Sequence, residues 1–161
     1  CLGLKLFDAV LAEAAARGSA VVERGEARHP AAAVSALAAE EEAAAGLLPL
    51  LHEQALAPST VAELAASAGV DAGVARKVLS RLAASGAVVR VGPELHFDAA
   101  AIAGARARLE SFLADKPGGA TAAELRDVLR VSRKYAIPLL EYFDAQGVTR
   151  REGDLRVLRR A

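Results

Sequence analysis

The apolar and polar positions of this chain fall into a pattern of helices, stops and short alternating runs that occurs more than once. Residues 4–17 (LKLFDAVLAEAAAR) place Leu4, Phe7, Val10, Leu11 and Ala14 on one helical face, and Gly18 follows as a stop. Residues 20–23 and 26–29 flank Arg24-Gly25, the pattern of a hairpin. Residues 34–55 predict a long helix carrying the run Glu40-Glu41-Glu42, read as a solvated face, and Pro58 and Ser59 end it. Thr60 and Glu63 form a capping box that opens a short helix to Ser67, and Gly69 makes a turn. A second helix is expected over 71–85, with Gly86 as its stop. Residues 87–91 and 95–98 then flank Gly92-Pro93 as a second hairpin.

The same order returns. Residues 98–116 predict a helix with Ile102, Ala105, Leu109, Phe112 and Leu113 facing inward, and Pro117-Gly118-Gly119 turns the chain. Thr121 and Glu124 form another capping box, and Ser132 is expected to cap a helix that runs to Gln146. Gly147 stops it, and a final hairpin turns at Glu152-Gly153-Asp154. Glu63 and Glu124, Leu64 and Leu125, Leu79 and Leu140, Gly86 and Gly147, and Gly92 and Gly153 are each 61 apart. Caps, core positions and stops at one spacing imply tandem copies of one fold. The expected architecture is mainly α with small β wings, as tandem winged helices (helix-turn-helix plus β-hairpin). The units are 1–33 (a last helix and wing), 34–98 and 99–161. Pro138 lies inside the last helix, lacks an N–H and crowds the carbonyl of Lys134, so either an irregular first turn over 133–137 or a simple tolerated kink is expected.

Composition adds a charge asymmetry. The formal net charge is zero, but residues 1–100 hold 8 Lys and Arg against 12 Asp and Glu, and residues 101–161 hold 12 against 8. A neutral whole thus carries a basic end, as expected when one end meets a polyanion. The one cysteine, Cys1, excludes an internal disulfide and a multi-cysteine metal site, and suits a reducing cytoplasm. There is no apolar run of membrane-spanning length, and no signal peptide. There is no Met, even at position 1, so the chain is expected to be part of a longer protein.

No catalytic signature is present: neither a GxxxxGK[ST] phosphate loop nor GxSxG nor HExxH occurs. His29, His52 and His96 fall in different elements without ligand spacing. Neither an enzyme activity nor a metal or cofactor is expected of these residues.

The last unit concentrates cations instead. Arg133, Lys134 and Tyr135 open its second helix-turn-helix helix, Arg150 and Arg151 end the first wing strand, and Arg156, Arg159 and Arg160 follow the turn. Positive side chains at a helix N-terminus add to its partial positive charge, and arginine's planar fork matches phosphate or a guanine edge. Tyr135 has the face to stack a base. The bland alternative is a core tyrosine beside an arginine-solvated hairpin. The middle unit offers only Arg76, Lys77, Arg81 and Arg90, a weaker patch suited to a spacer or a secondary contact.

The runs SRKYAIPLLEYFD, GVTRR and GDLRVL resemble the C-terminal end of SelB, the selenocysteine-specific translation elongation factor of bacteria. The resemblance is dense over about the last forty residues and looser upstream, where it follows the repeat order. In that family a GTPase part binds selenocysteinyl-tRNA, and a C-terminal array of winged helices binds the SECIS hairpin of selenoprotein messages, mainly through the last one. The resemblance therefore implies an RNA-binding array without the GTP-binding part, working in the cytoplasm. Selenocysteinyl-tRNA and the ribosome would be reached through the full-length protein, and a monomer is expected. By the same resemblance the RNA contacts are Ser132, Arg133, Lys134 and Tyr135 on the helix, with Arg150, Arg151, Gly153, Asp154 and Arg156 on the wing. Gly153 would allow a tight turn, and Asp154 would accept a bond from a base or orient Arg156. The chain departs from the family pattern at Leu125, where Phe is usual, and at Val131, where Gly is usual, with Arg130 beside it. A DNA-binding regulator and a protein-interaction module are the alternatives that use the same fold.

Overall fold

The computed structural model describes residues 10, 12–17, 21–23, 26–28 and 30–159. The chain divides into two compact units, Cys1–Glu42 and Ala43–Ala161. In the first, Val10 and residues 12–16 are helical, as the periodicity predicts, and Arg17 forms a turn; residues 4–9, residue 11 and the Gly18 stop lie outside the described residues. β1 (Val21–Glu23) and β2 (Glu26–Arg28) pair antiparallel, Val21 opposite Arg28. The Arg24-Gly25 turn and His29 also lie outside. α1 (Pro30–Gln54) begins four residues before the expected start at 34. Pro30 suits the first helical position, because the N–H it lacks would have had no intrahelical partner there. Of the acidic run in α1, Glu41 and Glu42 are exposed, but Glu40 is buried.

In the second unit the chain runs from α1 through α2 (Val61–Ala68) and α3 (Ala72–Ala84) to a hairpin of β3 (Val88–Val91) and β4 (Leu95–Asp98). Both halves of the Thr60–Glu63 capping box are present, and Gly69 takes the left-handed conformation that ends α2. Asp71 caps α3 by accepting from the N–H groups of Gly73 and Val74 at 2.7 and 3.2 Å. Leu47, Leu51, Leu64, Val78 and Leu79 join Val88 in one buried cluster.

The pattern then repeats as α4 (Ala99–Ala114), β5 (Ala120–Thr121), α5 (Ala122–Leu129), α6 (Arg133–Ala145), β6 (Thr149–Glu152) and β7 (Leu155–Leu158). Ile102, Ala105, Leu109 and Leu113 are buried as expected, with Phe112 packed at the edge of the core. The Thr121–Glu124 capping box is again complete. This is a second helix-turn-helix with a wing, and the fold is a tandem winged helix.

Three details depart from the sequence reading. β5 is an added strand, giving a three-stranded sheet in the order β5-β7-β6, with Ala120 opposite Arg156. Gly119, at φ +86°, makes that pairing possible, since a Cβ there would lie 2.8 Å from the Arg156 carbonyl oxygen. α6 is continuous from Arg133 through Pro138 to Ala145, so the first turn is helical and not irregular. The proline removes one bond to the Lys134 carbonyl, and the buried face of Ala136, Leu139, Leu140 and Phe143 holds the helix together regardless. The repeat spacing also changes: the middle wing turns through residues 92–94, the terminal one through Gly153 and Asp154 alone. Beyond the turn, equivalent residues are therefore 60 apart, and Arg156 corresponds to His96.

The two winged helices share a core. Val89, Val91, Leu95 and Phe97 lie on one face of the middle wing and pack into the cluster formed by Leu109, Leu113, Leu125, Leu139, Leu140 and Phe143 of the terminal one. Val88, on the other face, packs into the middle unit's own core.

Candidate nucleic-acid interface

The basic surface begins at the N-terminal end of α6. The turn before it runs through Arg130, whose φ of 57° and ψ of 43° place it in the left-handed region where the middle copy has Gly69. Its N–H bonds the Asp127 carbonyl at 3.2 Å and that of Val131 bonds Arg126 at 3.3 Å, as Gly69 and Val70 do with Ala66 and Ala65. The backbone geometry of the turn is thus kept with Arg130 in the glycine's place. Ser132 occupies the N-cap position, but its side chain makes no cap hydrogen bond, contrary to the expectation. The N–H groups of Arg133 and Lys134 are thus left open toward an anion, while that of Tyr135 bonds the Ser132 carbonyl at 3.1 Å; in α3, Asp71 closes the equivalent turn.

Ser132, Arg133 and Lys134 are exposed at this helix start. Lys134 holds its ammonium 5.1 Å from the Tyr135 ring centroid, a cation–π pair. Tyr135 is half-buried against the core cluster, so part of its ring serves packing. Between α5 and α6 lies a cavity of about 240 Å³ with Ala122, Ala123, Ala136 and Ile137 on its walls and Arg126 and Arg133 at its sides.

On the wing, Arg150, Arg151, Gly153 and Asp154 are exposed. Arg151 donates Nε to the Gly153 carbonyl at 2.9 Å, and Arg90 does the same to Gly92 at 3.0 Å in the middle copy. Each arginine is braced across its own turn, Arg90 also through Nη2 to the Pro93 carbonyl at 3.5 Å. Arg150 pairs with Glu152.

Arg156 is placed differently from the expectation. It is 6% exposed, and its Nε donates to Asp144 Oδ2 at 2.9 Å, so it is not a surface cation and its partner is not Asp154. The strand alternation explains this: Arg156 faces inward with Thr149, whose hydroxyl donates to Asp144 Oδ1 at 2.5 Å. Asp144 closes the end of α6, so it ties helix to wing. Sequence reasoning passed over Asp144 and Thr149. The signal was available in the repeat, where the corresponding residues are Ala83 and Val88.

The described residues contain no cluster of His, Cys, Asp and Glu able to hold a metal ion, and no helix long and apolar enough to cross a membrane. His52 lies exposed, 3.5 Å from Asp98, and His96 is buried with no hydrogen-bond partner at Nδ1. Neither is part of the basic surface.

Known proteins place this architecture. The family described as elongation factor SelB, winged helix, matches residues 111–158. The solved structure of the mRNA-binding domain of elongation factor SelB from E. coli, in complex with SECIS RNA, is similar with a TM-score of 0.67 and 30% identity, over 76% of this chain and 98% of that one. This chain belongs to the SelB family. The selenocysteine-specific elongation factor of Escherichia coli strain K12 is 36% identical over 104 residues, 65% of this chain and 17% of that protein. The one from Desulfomicrobium baculatum is 28% identical over 144 residues, 89% of this chain and 22% of that protein. The chain therefore spans about a fifth of the length of these SelB relatives. A crystal structure of a bacterial selenocysteine-specific elongation factor, EF-Sec, shares the fold with a TM-score of 0.60 at 20% identity, over 91% of this chain and 23% of that one.

Proposed function

We propose that this chain binds the SECIS hairpin of a selenoprotein message through its terminal winged helix, in support of UGA recoding. The observation that carries the reading is the likeness to the SelB mRNA-binding domain in complex with SECIS RNA. It is supported by the exposed start of α6 with Ser132, Arg133, Lys134 and the half-buried Tyr135, and by a wing that exposes Arg150, Arg151, Gly153 and Asp154. Arginines and open helix N–H groups recognise phosphate, and a partly exposed tyrosine stacks on an unpaired base. Arg156 acts in this reading from within, through Asp144. The middle unit serves as a spacer.

The fragment needs no cofactor for this task. GTP, selenocysteinyl-tRNA and the ribosome belong, in the same reading, to the remainder of a full-length elongation factor acting in the cytoplasm, with the present chain a monomeric arm. The test is fluorescence anisotropy against a labelled hairpin taken from just downstream of an in-frame UGA in the source organism. Binding that loop mutations abolish and duplex DNA fails to compete supports the reading. Equal competition by any polyanion would reduce the site to a generic basic surface, and salt-insensitive association would favour a protein partner.

A further inference from the structure

The trio Asp144, Thr149 and Arg156 stands out because the repeat supplies its own comparison. At the same place the middle copy has Ala83, Val88 and His96, an uncharged set, and the winged helix forms there equally well. A buried ion pair is a weak source of stability, because removing two charges from water offsets their attraction. What such a pair does supply is a fixed geometry. Asp144 receives Thr149 from β6 at 2.5 Å and Arg156 from β7 at 2.9 Å, so one carboxylate grips both wing strands from the end of α6.

The second consequence concerns Arg151, which stands directly opposite Arg156 across the hairpin. Like charges at such a position repel. Asp144 neutralises the buried member of the pair and keeps it turned inward, while Arg151 stays at the surface, braced on the Gly153 carbonyl at 2.9 Å.

We infer that Asp144 is a positioning residue for RNA binding: through Arg156 and Thr149 it sets the wing, and Arg151 in particular, relative to the start of α6. The inference rests on the RNA-binding reading above. It is tested by giving the terminal unit the middle unit's trio, Asp144→Ala with Thr149→Val and Arg156→His, with and without Arg151→Ala, in the full chain. The triple variant is expected to stay folded and to bind the hairpin about tenfold more weakly, with a salt slope lower by about one. Adding Arg151→Ala should then cost nothing further, since both changes remove the same contact. Unchanged affinity of the triple variant, or losses that add, would overturn the inference. Should the triple variant unfold, Asp144→Asn is read in its place: it keeps the shape and removes the charge. A folded Asp144→Asn protein is expected to show the same drop in affinity and slope, and wild-type values for both would overturn the inference. A wild-type chain that fails to bind the hairpin would instead count against the RNA reading itself.

Discussion

Arg156 and His96 occupy the same place in successive copies of one repeat. Arg156 stands opposite Arg151 across the terminal hairpin and His96 opposite Arg90 across the middle one, and each is only 6% exposed. The two copies answer the burial of a basic side chain in different ways. The terminal copy gives it a carboxylate, Asp144, and the middle copy leaves His96 neutral with Nδ1 unpartnered. These two solutions have different costs, and each makes a prediction.

Removing one partner of the ion pair should be expensive. Asp144→Ala leaves a buried guanidinium uncompensated, and about 3 kcal/mol of stability is expected to be lost. Replacing all three residues by the middle unit's set should recover most of it. Urea denaturation of the single and triple variants checks this, and a triple variant weaker than the single one would contradict it.

The middle solution predicts acid sensitivity. Burial, and then the charge of Arg90, push the His96 pKa below its ordinary 6.5. A depressed histidine favours the folded state fully above pH 6.5, and that contribution is lost as pH falls from 6.5 toward the folded value, because the unfolded chain binds the proton more readily. Glu124 acts at lower pH. Lys116, and then the N–H and hydroxyl of Thr121, hold its carboxyl down to about 2, so its contribution is present above 4.5 and is lost between 4.5 and about 2. His96→Leu should flatten the profile near pH 6 and leave the lower step, and Glu124→Gln should do the reverse. Thermal melts across pH 3–8 separate the two.

Arg130 carries a backbone penalty. A non-glycine residue in the left-handed region costs on the order of 1 kcal/mol, partly balanced by the greater unfolded freedom of glycine. Arg130→Gly is expected to raise stability by about 0.5 kcal/mol, roughly 1–2 °C in Tm. Calorimetry showing a lower Tm would mean that the side chain contributes more than the turn costs.

Salt dependence should sort the arginines. Arg133→Ala and Arg151→Ala are each expected to lower the slope of log affinity against log salt by about one, whereas Arg90→Ala on the middle wing should leave it unchanged. Anisotropy titrations at several salt concentrations decide each residue separately. An unchanged slope removes that residue from the interface.

The joint between the copies predicts cooperative unfolding. Phe97 is fully buried and packs from the middle wing into the terminal core. Phe97→Ala should cost about 3–5 kcal/mol and lower the stability of both winged helices together. Hydrogen exchange showing one copy destabilised and the other untouched would contradict a shared core.

Much of this was legible in the sequence because local chemistry decides it. The capping boxes at Thr60 and Thr121 and the left-handed turns at Gly86, Gly92, Gly147 and Gly153 are set by a few adjacent residues. What escaped depends on pairing between distant residues. β5 is two residues long and exists only because β7 offers an edge to Ala120 and Thr121. The inward turn of Arg156 follows from a wing loop one residue shorter than its copy, which the constant spacing of the glycines conceals. Ser132 has the residue type of a cap without the bond, a difference that only the rotamer reveals.

The shared core has a mechanical meaning. A hinge between modules needs a seam that can open into water, but here Val91 and Phe97 are nonpolar and buried where the seam would be. Bending the two winged helices apart means exposing those side chains, so small forces meet a stiff joint. A pull applied at the terminal wing is passed on to the middle unit as a torque and is not absorbed between them.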